Sequence, residues 1–164
     1  MSESRVSVRV SLARQELLLM GAGRVLRRYR VSTAAAGADE RNGSLGTPRG
    51  RHVVRARIGD GAPVGTVFRG RRPTGEIYDE TLGRRYPGRD WILTRILWLS
   101  GCEQGFNRLG DVDTMRRYIY VHGTPDSTRL GVAGSHGCIR MNNADIAELF
   151  DRVPAGTRVD IRED

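Results

Sequence analysis

Residues 5–31, Arg5-VSVRVSLARQELLLMGAGRVLRRYR-Val31, set the fold class, because the apolar period there is two and not 3.6. Val6, Val8, Val10 and Leu12 share one face while Arg5, Ser7, Arg9 and Ser11 share the other, the pattern of a half-buried strand. Gln15 to Met20 then meets Gly21-Ala-Gly-Arg24, and Val25 to Val31 follows, which reads as strand, glycine-rich turn and returning strand. Ala34 to Arg49 is rich in turn formers, after which His52, Val54, Ala56 and Ile58 alternate with Arg51, Val53, Arg55 and Arg57 as another strand. The first third is therefore antiparallel β.

Beyond it the pattern weakens. From Gly59 to Asp90 no period is sustained, and the glycines with Pro63, Pro73 and Pro87 predict a long, partly ordered excursion, of the kind that serves as a lid or substrate wall. Trp91 to Leu99 reads as a buried strand, and Arg116 to Val121 as a strand rich in β-formers. One helix is well specified. Asn142 or Asn143 caps it, Asp145 sits in its first turn, Ile146, Leu149, Phe150 and Val153 recur on one face, and Pro154 and Gly156 stop it. Thr157 to Ile161 alternates as a last strand. The fold class is mainly β with one clear C-terminal helix.

Size and composition agree with one compact domain over 1–164: 38% of the 164 residues are hydrophobic and 28% charged. No run approaches the roughly 18 apolar residues of a membrane span, so no membrane partner is expected. The net charge is +8, and every one of the 27 basic residues is Arg. Without Lys there is no P-loop lysine, no Schiff base and no Ser-x-x-Lys nucleophile. The Arg surplus suits carboxylates or phosphates held by paired hydrogen bonds, and equally a merely soluble surface. The arginines run from Arg5 to Arg162 with no nucleic-acid-binding signature, so nucleic acid is not an expected partner.

Chemistry concentrates between 120 and 141, in Tyr120-Val-His-Gly-Thr124 and Gly134-Ser-His-Gly-Cys-Ile-Arg-Met141. Two of the three histidines and one of the two cysteines fall there. His122 ends a strand and Cys138 lies in a glycine-flanked loop before the helix, so neighbouring elements bring together a thiol and an imidazole, the parts of an activated nucleophile. Gly137 admits a carbonyl close to the backbone, and the amides of Gly137 and Cys138 make a candidate oxyanion hole. Three readings fit: a catalytic thiol, a structural polar loop, and a zinc site of His122, His136 and Cys138. The metal reading is the weakest, because neither Cys102 nor Asp126 supplies a fourth ligand at a standard spacing. Cys102 reads as a free thiol and His52 as structural. Arg71, Arg72, Arg84 and Arg85 fall in the excursion, each more simply surface than ligand.

These residues resemble the YkuD-type L,D-transpeptidase family, whose hallmark is a His-Gly pair followed by Ser-His-Gly-Cys-(hydrophobic)-Arg/Asn. Here they are His122, Gly123, Ser135, His136, Gly137, Cys138, Ile139 and Arg140. Arg9 to Met20 is similar to the family's opening strands, Gly46-Thr-Pro-Arg-Gly50 to its TP-x-G turn, and Asp145 to Ile161 to its closing helix and strand. The resemblance implies an L,D-transpeptidase-like β-sandwich or barrel, with residues 59–115 as a variable cap over the cleft. It implies that Cys138 attacks the carbonyl of the third residue of a peptidoglycan stem peptide, such as meso-diaminopimelate, and expels terminal D-alanine. His122 is then the general base, the Gly123 carbonyl holds its tautomer, Ser135 and His136 shape the substrate loop, and Arg140 holds that loop or a substrate carboxylate. No cofactor or metal is implied, and carbapenems are expected to acylate the thiol.

Met1 to Val10 lacks the features of a secretory signal. The expectation from this is a cytoplasmic L,D-carboxypeptidase acting on recycled muropeptides, or a periplasmic enzyme if the chain is a piece of a longer one. The alternatives are transpeptidation or D-amino-acid exchange, and more distantly a non-catalytic binding protein.

Overall fold

The computed structural model describes residues 5–164. Ten strands are present: β1 (Val6–Ser11), β2 (Glu16–Gly21), β3 (Arg24–Ser32), β4 (Gly50–Ile58), β5 (Thr66–Arg69), β6 (Arg72–Ile77), β7 (Ile92–Gly101), β8 (Tyr120–Thr124), β9 (Ile139–Asn142) and β10 (Arg158–Arg162). Two α-helices accompany them, α1 (Glu80–Arg85) and α2 (Asn143–Arg152). The sheet order is β4-β10-β1-β2-β3-β9-β8-β7-β5-β6, and a further β4–β7 pairing closes eight of the strands into a barrel. Closure removes the free edge that β4 would otherwise present, and β6 remains the one edge of the sheet among the described residues. Mainly β architecture with one main helix is thus observed.

The alternation in the sequence is what the barrel uses. Val8, Val10, Leu17 and Leu19 are buried, as are Val121, Ile139 and Met141 on the strands opposite, and Ile146, Leu149 and Phe150 of α2 join the same core. Each such side chain stabilises the fold by about 1.5–3 kcal/mol relative to exposure. Asn142 caps α2, its Oδ1 accepting from the amides of Ala144 at 2.8 Å and Asp145 at 3.4 Å. Of the two candidate caps, it is the first.

β7 is shared. Its second half pairs with β4, from His52↔Gly101 to Ile58↔Ile96, while its first residues pair with β5 on the same edge, Val67↔Leu93 and Phe68↔Ile92. Between the halves, Thr94 takes φ 76°, a left-handed conformation unusual for a β-branched residue. Its buried hydroxyl donates to Asn143 Oδ1 at 2.6 Å and accepts from the Gly65 amide at 3.1 Å.

Four expectations are corrected. The span 59–90 is not merely irregular: it holds the β5–β6 hairpin and α1, whose start is capped by the Asp79 carboxylate on the Leu82 amide. Within 59–115, Ile92–Gly101 is a barrel strand, while the hairpin extends beyond the closed strands. The strand expected over Arg116–Val121 starts at Tyr120, because the Asp113 carboxylate accepts from the Arg116 amide and Tyr118 takes φ 57°. The loop expected between Cys138 and the helix contains the strand β9.

Candidate active site

The parallel pairing of β8 and β9 builds the site. Its register sets Val121 against Ile139 and His122 against Arg140. Side chains alternate across a strand, so Tyr120, His122, Cys138 and Arg140 fall on one face, while Val121, Ile139 and Met141 enter the core on the other. The first face forms a cleft of about 520 Å³, lined also by Gly70, Arg71, Asp90, Ile92, Tyr118, Ser135 and His136.

His122 is buried, and its Nδ1 lies 2.6 Å from the Gly123 carbonyl oxygen. A carbonyl only accepts, so Nδ1 carries the proton and Nε2 is left as the basic atom. Burial pushes the imidazole below its ordinary value, so it rests neutral. Gly123 admits no side chain, since a Cβ there would stand 2.6 Å from the Leu93 carbonyl oxygen and would also collide with the Asn143 side chain.

Cys138 is half-buried. Its Sγ donates to the Tyr118 carbonyl and accepts from the Tyr120 amide, each at 3.3 Å. Burial pushes the thiol up to about 12, against the opposing pull of that amide. The thiolate–imidazolium pair suggested by the residue types is therefore not the resting state. Both partners are neutral.

The loop before Cys138 is fixed from three sides. Ser135 Oγ donates to the Cys138 carbonyl at 2.6 Å and accepts from the Gly137 amide at 3.2 Å. Thr47 Oγ1 donates to the Gly137 carbonyl at 2.9 Å, which gives the Gly46–Gly50 turn its place beside the site. Gly137 takes φ 125°, and a Cβ there would press on Ile119 Cδ1 at 3.0 Å and the Gly46 oxygen at 3.1 Å. In this structure the Gly137 amide donates to Ser135 Oγ.

Arg140 holds the loop. Its guanidinium donates to the Gly134 carbonyl at 3.1 Å and pairs with Asp90 at 2.9 Å. His136 is exposed at the cleft. Among the described residues no three His, Cys, Asp or Glu side chains gather to hold a metal, so the zinc reading has no ligand set. Cys102 is exposed and lies outside the cleft, and His52 is buried between the Gly50 carbonyl and the Thr114 hydroxyl.

Sequence reasoning missed Asp90, Thr47 and the backbone of Tyr118 as parts of the site. Only Thr47 carries a local signal, the TP-x-G turn, and that turn does not say where in the fold it lands. Arg71 was one of four equivalent arginines in the sequence, yet it alone of the four lines the cleft.

The model of the YkuD family, the L,D-transpeptidase catalytic domain, matches residues 5–161. The putative L,D-transpeptidase YkuD of Bacillus subtilis (strain 168) is 39% identical over 90 residues, which is 54% of this chain and 44% of that protein. The crystal structure of an L,D-transpeptidase (residues 123–326) from Xylanimonas cellulosilytica superposes with a TM-score of 0.57 at 24% identity, over 98% of this chain and 62% of that one. L,D-transpeptidase 3 from Mycobacterium tuberculosis, solved with a faropenem-derived adduct, gives 0.58 at 17% identity over 98% and 61%. The chain spans less than two thirds of each of these relatives.

Proposed function

The chain belongs to the L,D-transpeptidase catalytic-domain family, and from that premise we propose that it is a cysteine acyl-transfer enzyme acting on peptidoglycan stem peptides. The observation that carries the reading is the β8–β9 register, which lines one cleft with Cys138 and with an imidazole whose Nδ1 is pinned by the Gly123 carbonyl.

In the proposed reaction Cys138 Sγ attacks the carbonyl of the third stem residue, meso-diaminopimelate in the simplest case, as its proton passes to Nε2 of His122. The backbone amides of Gly137 and Cys138 are the loop donors for the developing oxyanion, Gly137 exchanging its contact with Ser135 for it. The carbon–nitrogen bond then breaks, Nε2 returns the proton to the departing D-alanine amine, and a thioester is left. Water attacks it, His122 takes that proton, and the thiol leaves with a tripeptide acid as product. Neutral partners suit this order, since the proton moves during attack and not before it. The β5–β6 hairpin and α1 act as the cap.

Hydrolysis is the favoured outcome. His136 and Tyr118 are exposed at the cleft, so water has a path to the thioester. One observation favours transpeptidation instead: a second cleft of about 540 Å³, lined by Tyr78, Glu80, Trp91 and Thr124, shares Asp90 and Arg140 with the first. An amine acceptor entering there would meet the carboxylates of Glu80 and Asp90 among the guanidinium groups of Arg84, Arg89 and Arg140.

The test is mass spectrometry of the protein with a disaccharide tetrapeptide, with and without a D-amino acid, beside Cys138→Ala. Tripeptide alone supports the carboxypeptidase. Exchanged or crosslinked product supports the transpeptidase, and turnover by Cys138→Ala would overturn both.

A further inference from the structure

The Cys138 cleft contains two arginines, and only one of them is free to meet a ligand. Arg140 is spent on Asp90 and on the Gly134 carbonyl. Arg71 has no carboxylate partner among the described residues. Its one side-chain hydrogen bond runs from Nη1 to the Tyr120 hydroxyl at 2.9 Å. A guanidinium has five N–H donors in a rigid plane.

That plane is held in place. The Arg71 guanidinium carbon lies 4.4 Å from the Trp98 ring centroid and 5.0 Å from that of Tyr118, so stacking limits its motion. Arg71 and Gly70 form the two-residue tip of the β5–β6 hairpin, since Arg69 pairs with Arg72, and both take positive φ, 53° for Gly70 and 66° for Arg71. A primed hairpin turn demands this geometry, but glycine or asparagine would meet it without strain. The turn thus carries a long cationic side chain at a strained position, and the side chain lies in the cleft.

The same two tyrosines fix the nucleophile. The Tyr118 carbonyl and the Tyr120 amide hold Cys138 Sγ, while the Tyr118 ring and the Tyr120 hydroxyl hold Arg71. Cation and sulfur are therefore set at a constant spacing by one short stretch of chain.

We propose that Arg71 is a carboxylate-binding residue, which makes the cleft selective for peptides bearing a free carboxylate near the carbonyl that Cys138 attacks. The identity of the peptide rests on the proposed function. The anion site does not. Two carboxylates have the required chemistry: the terminus of the residue expelled, and a side-chain carboxylate on the residue acylated.

The experiment compares wild type with Arg71→Gly, which relaxes the turn, and with Arg71→Lys, which keeps the charge. Alkylation of Cys138 by anionic iodoacetate and by neutral iodoacetamide is followed by peptide mapping, with exposed Cys102 as internal reference. The iodoacetate-to-iodoacetamide rate ratio at Cys138 is expected to fall roughly tenfold in Arg71→Gly, to recover in part in Arg71→Lys, and to stay constant at Cys102. Tetrapeptides amidated at one carboxylate or the other then identify the one recognised. Wild type is expected to lose roughly 10- to 100-fold in kcat/KM, chiefly through KM, on that amide, and Arg71→Gly to lose the discrimination. An unchanged alkylation ratio in Arg71→Gly overturns the proposal. An Arg71-dependent ratio in a protein that cleaves no stem peptide upholds the anion site and overturns the proposed function alone.

Discussion

Arg140 is the ladder partner of His122, across the parallel pairing of β8 and β9. The residue two places beyond Cys138, the proposed nucleophile, is therefore locked in register with His122, the proposed base, and its guanidinium, fastened to Gly134 and Asp90, ties the loop that leads into Cys138. Cys138 and His122 are positioned by backbone pairing.

Replacing Cys138 by Ala removes only a half-buried sulfur with two long hydrogen bonds. Unfolding stability should change by less than about 1 kcal/mol, while tripeptide formation and carbapenem acylation vanish. Thermal unfolding alongside intact-protein mass spectrometry checks both halves. A carbapenem adduct on the Cys138→Ala protein would place the reaction elsewhere.

The pH profile follows from two buried groups. His122 titrates below its ordinary value of 6.5, so kcat/KM should hold to mildly acidic pH and fall only as the imidazole is protonated there. Cys138, pushed up to about 12, should react slowly with iodoacetamide and about tenfold faster for each pH unit between pH 6 and 8, in contrast to a thiolate pair. Fast, pH-independent alkylation of Cys138 across that range would show the ion pair instead.

Ser135→Ala deprives the Cys138 carbonyl and the Gly137 amide of their shared partner. The cost in stability is about 1–3 kcal/mol, with a slower acylation, since the loop is what fixes the thiol. Urea unfolding and single-turnover acylation separate the two effects. Unaltered acylation would mean that Ser135 supports the fold only.

Gly123→Ala inserts a methyl group against the Leu93 carbonyl, which is backbone and cannot step aside. A loss of about 1–3 kcal/mol is expected, and any folded fraction should show a shifted acid limb because the carbonyl that fixes His122 Nδ1 has moved. A wild-type profile in the folded variant would count against this role.

Stability as well as activity depends on histidine. Burial holds His52 at about 4, below its free value of 6.5, so the unfolded chain binds the extra proton first. Stability is complete above about pH 6.5 and declines as the pH falls toward 4, by on the order of 3 kcal/mol for this residue. His52→Gln should flatten that slope without abolishing it, because His122 contributes in the same direction. Equilibrium unfolding at several pH values gives the comparison.

Much of the architecture was legible in local pattern. The alternation from Arg5 to Val31, the apolar run from Trp91 and the Asn142 cap each encode their element within a few residues. The motif around Cys138 marked two residues, Cys138 and His122, that the structure brings to one cleft. What escaped was set by distant parts of the chain. β9 is only four residues long and is a strand because β8 and β3 flank it. The shift of β8 to Tyr120 depends on Asp113 and on a left-handed Tyr118. Arg140 looked available for a substrate until Asp90, fifty positions earlier, was found beside it.

The parallel pairing of β1 with β10 has a bearing on how the molecule comes into being. Val8 meets Val159, roughly 150 residues away along the chain, and β10 also supplies the ladder for β4. A chain emerging from the ribosome can form the β1–β2–β3 hairpins early, but the wall cannot be completed until its last stave is made. The imidazole stands on β8 and the thiol immediately before β9, and both strands belong to that wall. Competence for acyl transfer should therefore arrive late and all at once, and a nascent chain halted before Thr157 should carry Cys138 without its chemistry.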